Sequence, residues 1–123
     1  MDDHAENSIV VASGANMLLN EQDVDKMLEE MCEGDILLMQ LEIPLQTVEY
    51  AARKAFGKGV KVVLNPAPAR SLPKELFRHL YMVTPNRIEA EMLTGIKIAN
   101  DADVEKVAEE ICAMGVKNVI ITL

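Results

Sequence analysis

The chain has 123 residues, 12 Lys and Arg against 20 Asp and Glu, and a net charge of −8. Half of the residues are hydrophobic and 26% are charged, the balance of a single folded domain rather than a disordered segment. An acidic chain with two Tyr, two Phe and no Trp repels phosphate backbones and offers bases little to stack on, which argues against a nucleic-acid partner.

No apolar run approaches the roughly 20 residues that cross a bilayer, so no membrane partner is expected. The opening Met1-Asp2-Asp3-His4-Ala5-Glu6-Asn7-Ser8 is acidic and polar, unlike a secretory or mitochondrial leader, and the expected compartment is the cytoplasm. Cys32 and Cys112 are too few and too far apart for a disulfide framework or a zinc knuckle; two reduced, largely buried thiols are expected.

In chain order, Ser8-Ile9-Val10-Val11-Ala12 is a β-like run with no partner nearby in the sequence. Val24, Met27, Leu28 and Met31 then recur at helical spacing behind a capping Asn20 and before Gly34. Residues 36–39 read as a buried strand. Val48, Ala51, Ala52 and Ala55 mark a second helix ending near Gly57. Gly57-Lys58-Gly59-Val60 follows that helix and precedes a strand, so it is a helix-end turn and not a phosphate loop. Residues 60–64 and 81–84 are further apolar runs of strand type. Val104, Val107, Ala108, Ile111 and Cys112 form a third helix between Asp101 and Gly115, and residues 119–123 read as a last, central buried strand. The eight Met residues fall mainly in these elements as core filling, and His4 and His79 read as isolated surface residues.

This alternation predicts an α/β fold: a three-layer αβα arrangement around a doubly wound, mostly parallel sheet. A core strand on the chain's last residue leads to the expectation that further residues belong after it. In such sheets ligands bind beyond the carboxyl ends of the strands. Here those positions hold Gln40-Leu41-Glu42-Ile43-Pro44, Asn65-Pro66-Ala67-Pro68-Ala69-Arg70 and Pro85-Asn86-Arg87-Ile88-Glu89. Carboxylates, carboxamides and a guanidinium along one edge suit sugar hydroxyls, a magnesium ion and phosphates. Each also has a structural explanation. Glu42 before Pro44 fits a helix-start carboxylate. Asn65 before two prolines fits a stiff turn. Asn86 with Glu89 three residues on fits a capping box, although a helix start is also an anion site and a Glu there can organise hydrated Mg²⁺. No G-x-G-x-x-G dinucleotide fingerprint is present.

Taken together and in order, Gly14-Ala15-Asn16, Leu38-Met39-Gln40-Leu41-Glu42-Ile43-Pro44, Asn65-Pro66-Ala67-Pro68-Ala69-Arg70, Thr84-Pro85-Asn86-Arg87-Ile88-Glu89-Ala90-Glu91-Met92-Leu93-Thr94-Gly95 and Val119-Ile120-Ile121-Thr122-Leu123 resemble the ribokinase-like sugar kinase family. The likeness spans nearly the whole chain but only the middle of a family member. It implies a partial ribokinase-like fold, with residues 1–13 a remnant of the lid strand and 14–123 a core segment. It implies ATP and Mg²⁺, with transfer of the γ-phosphoryl to the 5-hydroxyl of D-ribose. Glu42 is then the carboxylate for sugar hydroxyls, and Val11 belongs to the lid strand over the sugar. Asn86 lies near the nucleotide phosphates, Asn65 more loosely so, and Thr122 starts the segment running into the nucleotide loop. Glu89 organises the metal through water. The family's di-glycine sugar segment, most of its lid, and its glycine-rich turn with catalytic Asp and anion hole have no match here. No catalytic residue is therefore assigned, and the 123 residues alone are expected to be inactive. Two other readings stay open: a non-catalytic α/β module that pairs with another chain or with itself, and a kinase for another sugar of the family.

Overall fold

The structure, a computed structural model, describes residues 9–12, 20–41, 44–67 and 72–122. Among these residues five strands form one sheet: β1 (Ile9–Ala12), β2 (Ile36–Gln40), β3 (Lys61–Asn65), β4 (Met82–Val83) and β5 (Asn118–Val119). They lie side by side in chain order, and every neighbouring pair is parallel. Helices α1 (Glu21–Glu29), α2 (Leu45–Gly57), α3 (Lys74–Phe77), α4 (Arg87–Thr94) and α5 (Asp101–Ala113) occupy the crossovers. The α/β class and the parallel sheet are as expected.

The layering follows from the strand order. Right-handed crossovers that always step the same way stack their helices on one side of the sheet. Burial agrees. Leu37, Met39, Val62, Leu64 and Val83 share one face by register and are fully buried. On the other face Ile36, Leu38, Val63 and Met82 are half-buried and Lys61 is exposed. Among the described residues the helices cover one face of the parallel sheet.

The local reasons are conventional. Asn20 caps α1 and Asn100 caps α5, each accepting from the backbone N–H three residues on. The helical faces predicted for α2 and α5 are the buried ones: Val48, Ala51, Ala52 and Ala55 in the first, Val107 and Ile111 in the second. The α2 end is the expected turn. Lys58 caps it, Gly59 has φ +82°, and the Lys58 ammonium donates to the Leu28 carbonyl at the end of α1. Gly115 has φ +125°, and a Cβ there would lie 2.9 Å from the Arg78 Cα, so the α5–β5 turn requires glycine.

Several expectations are corrected. Residues 9–12 have a partner after all, since Ile9 and Val11 stand in register with Ile36 and Leu38. This makes them the outer strand of the core sheet, because a strand in a separate lid layer cannot share that ladder. The Val11 side chain is outside what the structure describes. Among the described residues the last strand lies at the edge of the sheet, and Ile120 is 49% exposed because its face carries no described helix. Its ladder nonetheless runs on past β5: Asn118, Ile120 and Thr122 donate in turn to Tyr81, Val83 and Pro85 carbonyls. Helix α3 was not foreseen, being a single turn begun by Pro73. Cys32 and Cys112 are exposed, not buried. Met31 takes the buried position beside Cys32, and Ile111 does so beside Cys112, which lies about 100° further round α5. His79 is half-buried, with its ring 5.3 Å from that of Phe56.

Candidate nucleotide edge

The carboxyl ends of the strands bring several predicted residues together. Gln40 and Asn65 end β2 and β3 as register partners. The chain after Asn65 turns back at once: Ala67 N–H donates to the Asn65 carbonyl, and Leu41 N–H donates to the Ala67 carbonyl at 2.9 Å. Beyond β4, Asn86 forms a parallel bridge with Thr122, and Thr122 N–H donates to the Pro85 carbonyl at 3.0 Å. Counted along the ladders, Gln40, Asn65, Asn86 and Thr122 all fall on the parity of the face that carries no helix. Glu42 lies outside the described residues, as do Gly14, Ala15, Asn16, Pro68, Ala69, Arg70, His4 and Leu123.

Asn86 and Glu89 make the expected capping box. Asn86 N–H donates to Glu89 Oε1 at 2.9 Å, and Glu89 N–H donates to Asn86 Oδ1 at 2.8 Å. Asn86 is exposed, whereas Glu89 is buried at 7%. The box consumes Oε1 and leaves Oε2 without a hydrogen bond among the described residues. It also leaves the Arg87 and Ile88 amides of the first turn without an intrahelical acceptor, pointing out of the positive end of α4. One carboxylate oxygen and two amides at a helix start are the donor set of an anion site beside a hydrated cation. No group of three or more His, Cys, Asp or Glu suited to hold a metal occurs among the described residues. A cation here would therefore draw most of its ligands from water and from a bound phosphate.

Arg87 does not join this edge. Its Nη2 donates to the Ile98 carbonyl at 2.6 Å, and its side chain is 57% exposed. Gln40 is the residue that sequence reasoning passed over, and its place before Glu42 was the available signal. The shifted ionisations lie elsewhere. Burial, and then the Arg78 and Arg53 charges, lower the His79 pKa, while a hydrogen bond to Asp25 raises that of Tyr50. A hollow of about 430 Å³ adjoins the first turns of α1 and α2, lined by Asn20, Glu21, Gln22, Gln46 and Thr47. No described helix is long and apolar enough to cross a membrane.

Comparison with known proteins adds family information to this geometry. The model of the pfkB family of carbohydrate kinases matches residues 1–123. The ribokinase of Haemophilus influenzae is 49% identical over 119 residues, an overlap covering 97% of this chain and 39% of that protein. The crystal structure of Sa239 is 38% identical and superimposes with a TM-score of 0.82 over 89% of this chain and 36% of its own. Arabidopsis thaliana ribokinase complexed with ribose and ATP gives a TM-score of 0.72 at 23% identity, over 89% of this chain and 34% of its own, a likeness of fold.

Proposed function

Because the chain belongs to the pfkB family of carbohydrate kinases, we propose that it is the segment of an ATP-dependent ribokinase that carries the sugar carboxylate and the nucleotide edge. In the whole reaction the 5-hydroxyl oxygen of D-ribose bonds to the γ-phosphorus while the bond from that phosphorus to the β–γ bridging oxygen breaks. ADP leaves, and the hydroxyl proton passes to a base that has no match among these residues. The observation carrying this reading is the Asn86–Glu89 box: its Glu is 7% exposed, and among the described residues only Oε1 of its carboxylate is used by the box.

Each residue then has a task. The Arg87 and Ile88 amides and Asn86 receive phosphate oxygens, at an N-terminus whose dipole favours negative charge. Glu89 Oε2 would hold a hydrated cation through one of its waters. Mg²⁺ at this position would neutralise charge on the phosphates, and it commonly binds through one or two carboxylates plus substrate phosphates. Asn65 and Thr122 flank Asn86 on the neighbouring strand ends. Glu42 accepts from ribose hydroxyls, and Val11, on the β1 strand of the sheet, borders the sugar. The cytoplasm is the compartment this reading implies.

Two assays test it. The 123 residues alone should release no ribose-dependent ADP; turnover at a kinase rate of roughly 1–100 s⁻¹ would contradict the account of the missing base. Exchanging residues 1–123 for the matching segment of the Haemophilus influenzae ribokinase should preserve ribose phosphorylation, with ribose preferred over fructose. A folded chimera that phosphorylates fructose in preference to ribose would move the reading to another sugar. A second reading, a non-catalytic pairing module, is favoured by the uncovered sheet face and the outer edges of β1 and β5. Light scattering after size exclusion decides it: obligate pairing predicts a dimer or larger, and a clean monomer removes it.

A further inference from the structure

Arg87 and Glu91 hold the two polar backbone atoms of one residue from opposite sides. Arg87 Nη2 donates to the Ile98 carbonyl at 2.6 Å, and Ile98 N–H donates to Glu91 Oε2 at 2.7 Å. The two side chains stand one turn apart on α4, and Arg87 Nε lies 3.8 Å from that same Oε2. Ile98 is buried at 4% and belongs to the core cluster, so the grip ends on a fixed point.

Helix termination does not require this grip. Helix α4 is opened by the Asn86–Glu89 box and closed by Gly95 in the left-handed conformation, while α5 is opened by Asn100. A helix of eight residues is too short to hold its own axis in place, so its orientation must come from tertiary contacts. At its start the Asn86–Thr122 bridge fixes one point. The Ile98 grip fixes a second, and with Ala90 of the same helix buried in the core the two restrain how the first turn is rolled against the sheet edge. We propose that Arg87 and Glu91 are positioning residues for the nucleotide edge, setting the direction in which Asn86, Glu89 and the first-turn amides face. This inference rests on the ribokinase reading for the ligand but not for the coupling itself.

The coupling can be read without turnover. In the ¹⁵N-labelled chain, Glu91→Ala should speed amide exchange at both Ile98 and Glu89 by about tenfold, the scale of one lost hydrogen bond to a charged group. Glu91→Gln retains an acceptor oxygen and should restore most of the protection, and Arg87→Gln should act in the same direction as Glu91→Ala but more weakly. Affinity for Mn²⁺·ATP should fall in parallel with Glu89 protection. Acceleration confined to Ile98, or absent at both amides, would overturn the proposal. A wild-type chain that binds no Mn²⁺·ATP would remove the ligand reading, and exchange at Glu89 would still decide the coupling.

Discussion

Two helices among the described residues begin with the same device, and the two differ in how deeply the acid of the box is buried. At α1, Asp23 N–H donates to Asn20 Oδ1 at 2.9 Å and Asn20 N–H donates to Asp23 Oδ2 at 3.1 Å. At α4 the corresponding distances are 2.8 and 2.9 Å. Geometrically the boxes match, so capping alone accounts for both. They differ in surroundings. The first lies wholly at the surface, whereas Glu89 is buried at 7% beside a strand end bridged to Thr122. Capping does not require a buried carboxylate. The burial of Glu89 is therefore the feature that sets the second box apart.

The largest difference between the boxes should appear in metal–nucleotide binding. Glu89→Gln should weaken calorimetrically measured Mg²⁺·ATP affinity by about tenfold or more, through loss of a charged acceptor, while Asp23→Asn leaves it unchanged. Equal effects at the two sites would erase the distinction. Stability should separate them far less. Asn86→Ala and Asn20→Ala should each cost about 1 kcal/mol in urea unfolding. A much larger loss at Asn86 would mean that the box is chiefly architectural. Smaller still, exchanging the acids by Glu89→Asp and Asp23→Glu should change stability by no more than about 0.5 kcal/mol.

A pH scan gives a control independent of either box. The His79 pKa is lowered in the folded chain by burial, so its stabilising contribution is fully present above the ordinary value near 6.5. That contribution is lost as pH falls through the folded-state value. The decline should disappear in His79→Phe, which removes the ionisable group, and should persist in both cap variants.

The capped helices were legible in the sequence because their signals are local. Asn20 and Asn86 stand three residues before an acid, and the apolar spacing of α2 and α5 marks their buried faces. Strand order was not legible, since periodicity cannot say which runs become neighbours. For that reason the pairing of residues 9–12 with β2 was missed. Burial of each thiol was misjudged by one position, since Met31 and Ile111 take the buried places. At the candidate edge, the Asn86–Glu89 pair was visible from its spacing. The Arg87–Ile98 contact joins residues eleven apart across a loop and had no sequence signal.

Paramagnetic relaxation by Mn²⁺·ATP in the ¹⁵N-labelled chain tests the functional assignment of the second box most directly. We predict the strongest line broadening at the amides of Arg87, Ile88 and Glu89, with residues 20–23 unaffected. Broadening centred on residues 20–23, or none localised to the start of α4, would contradict it.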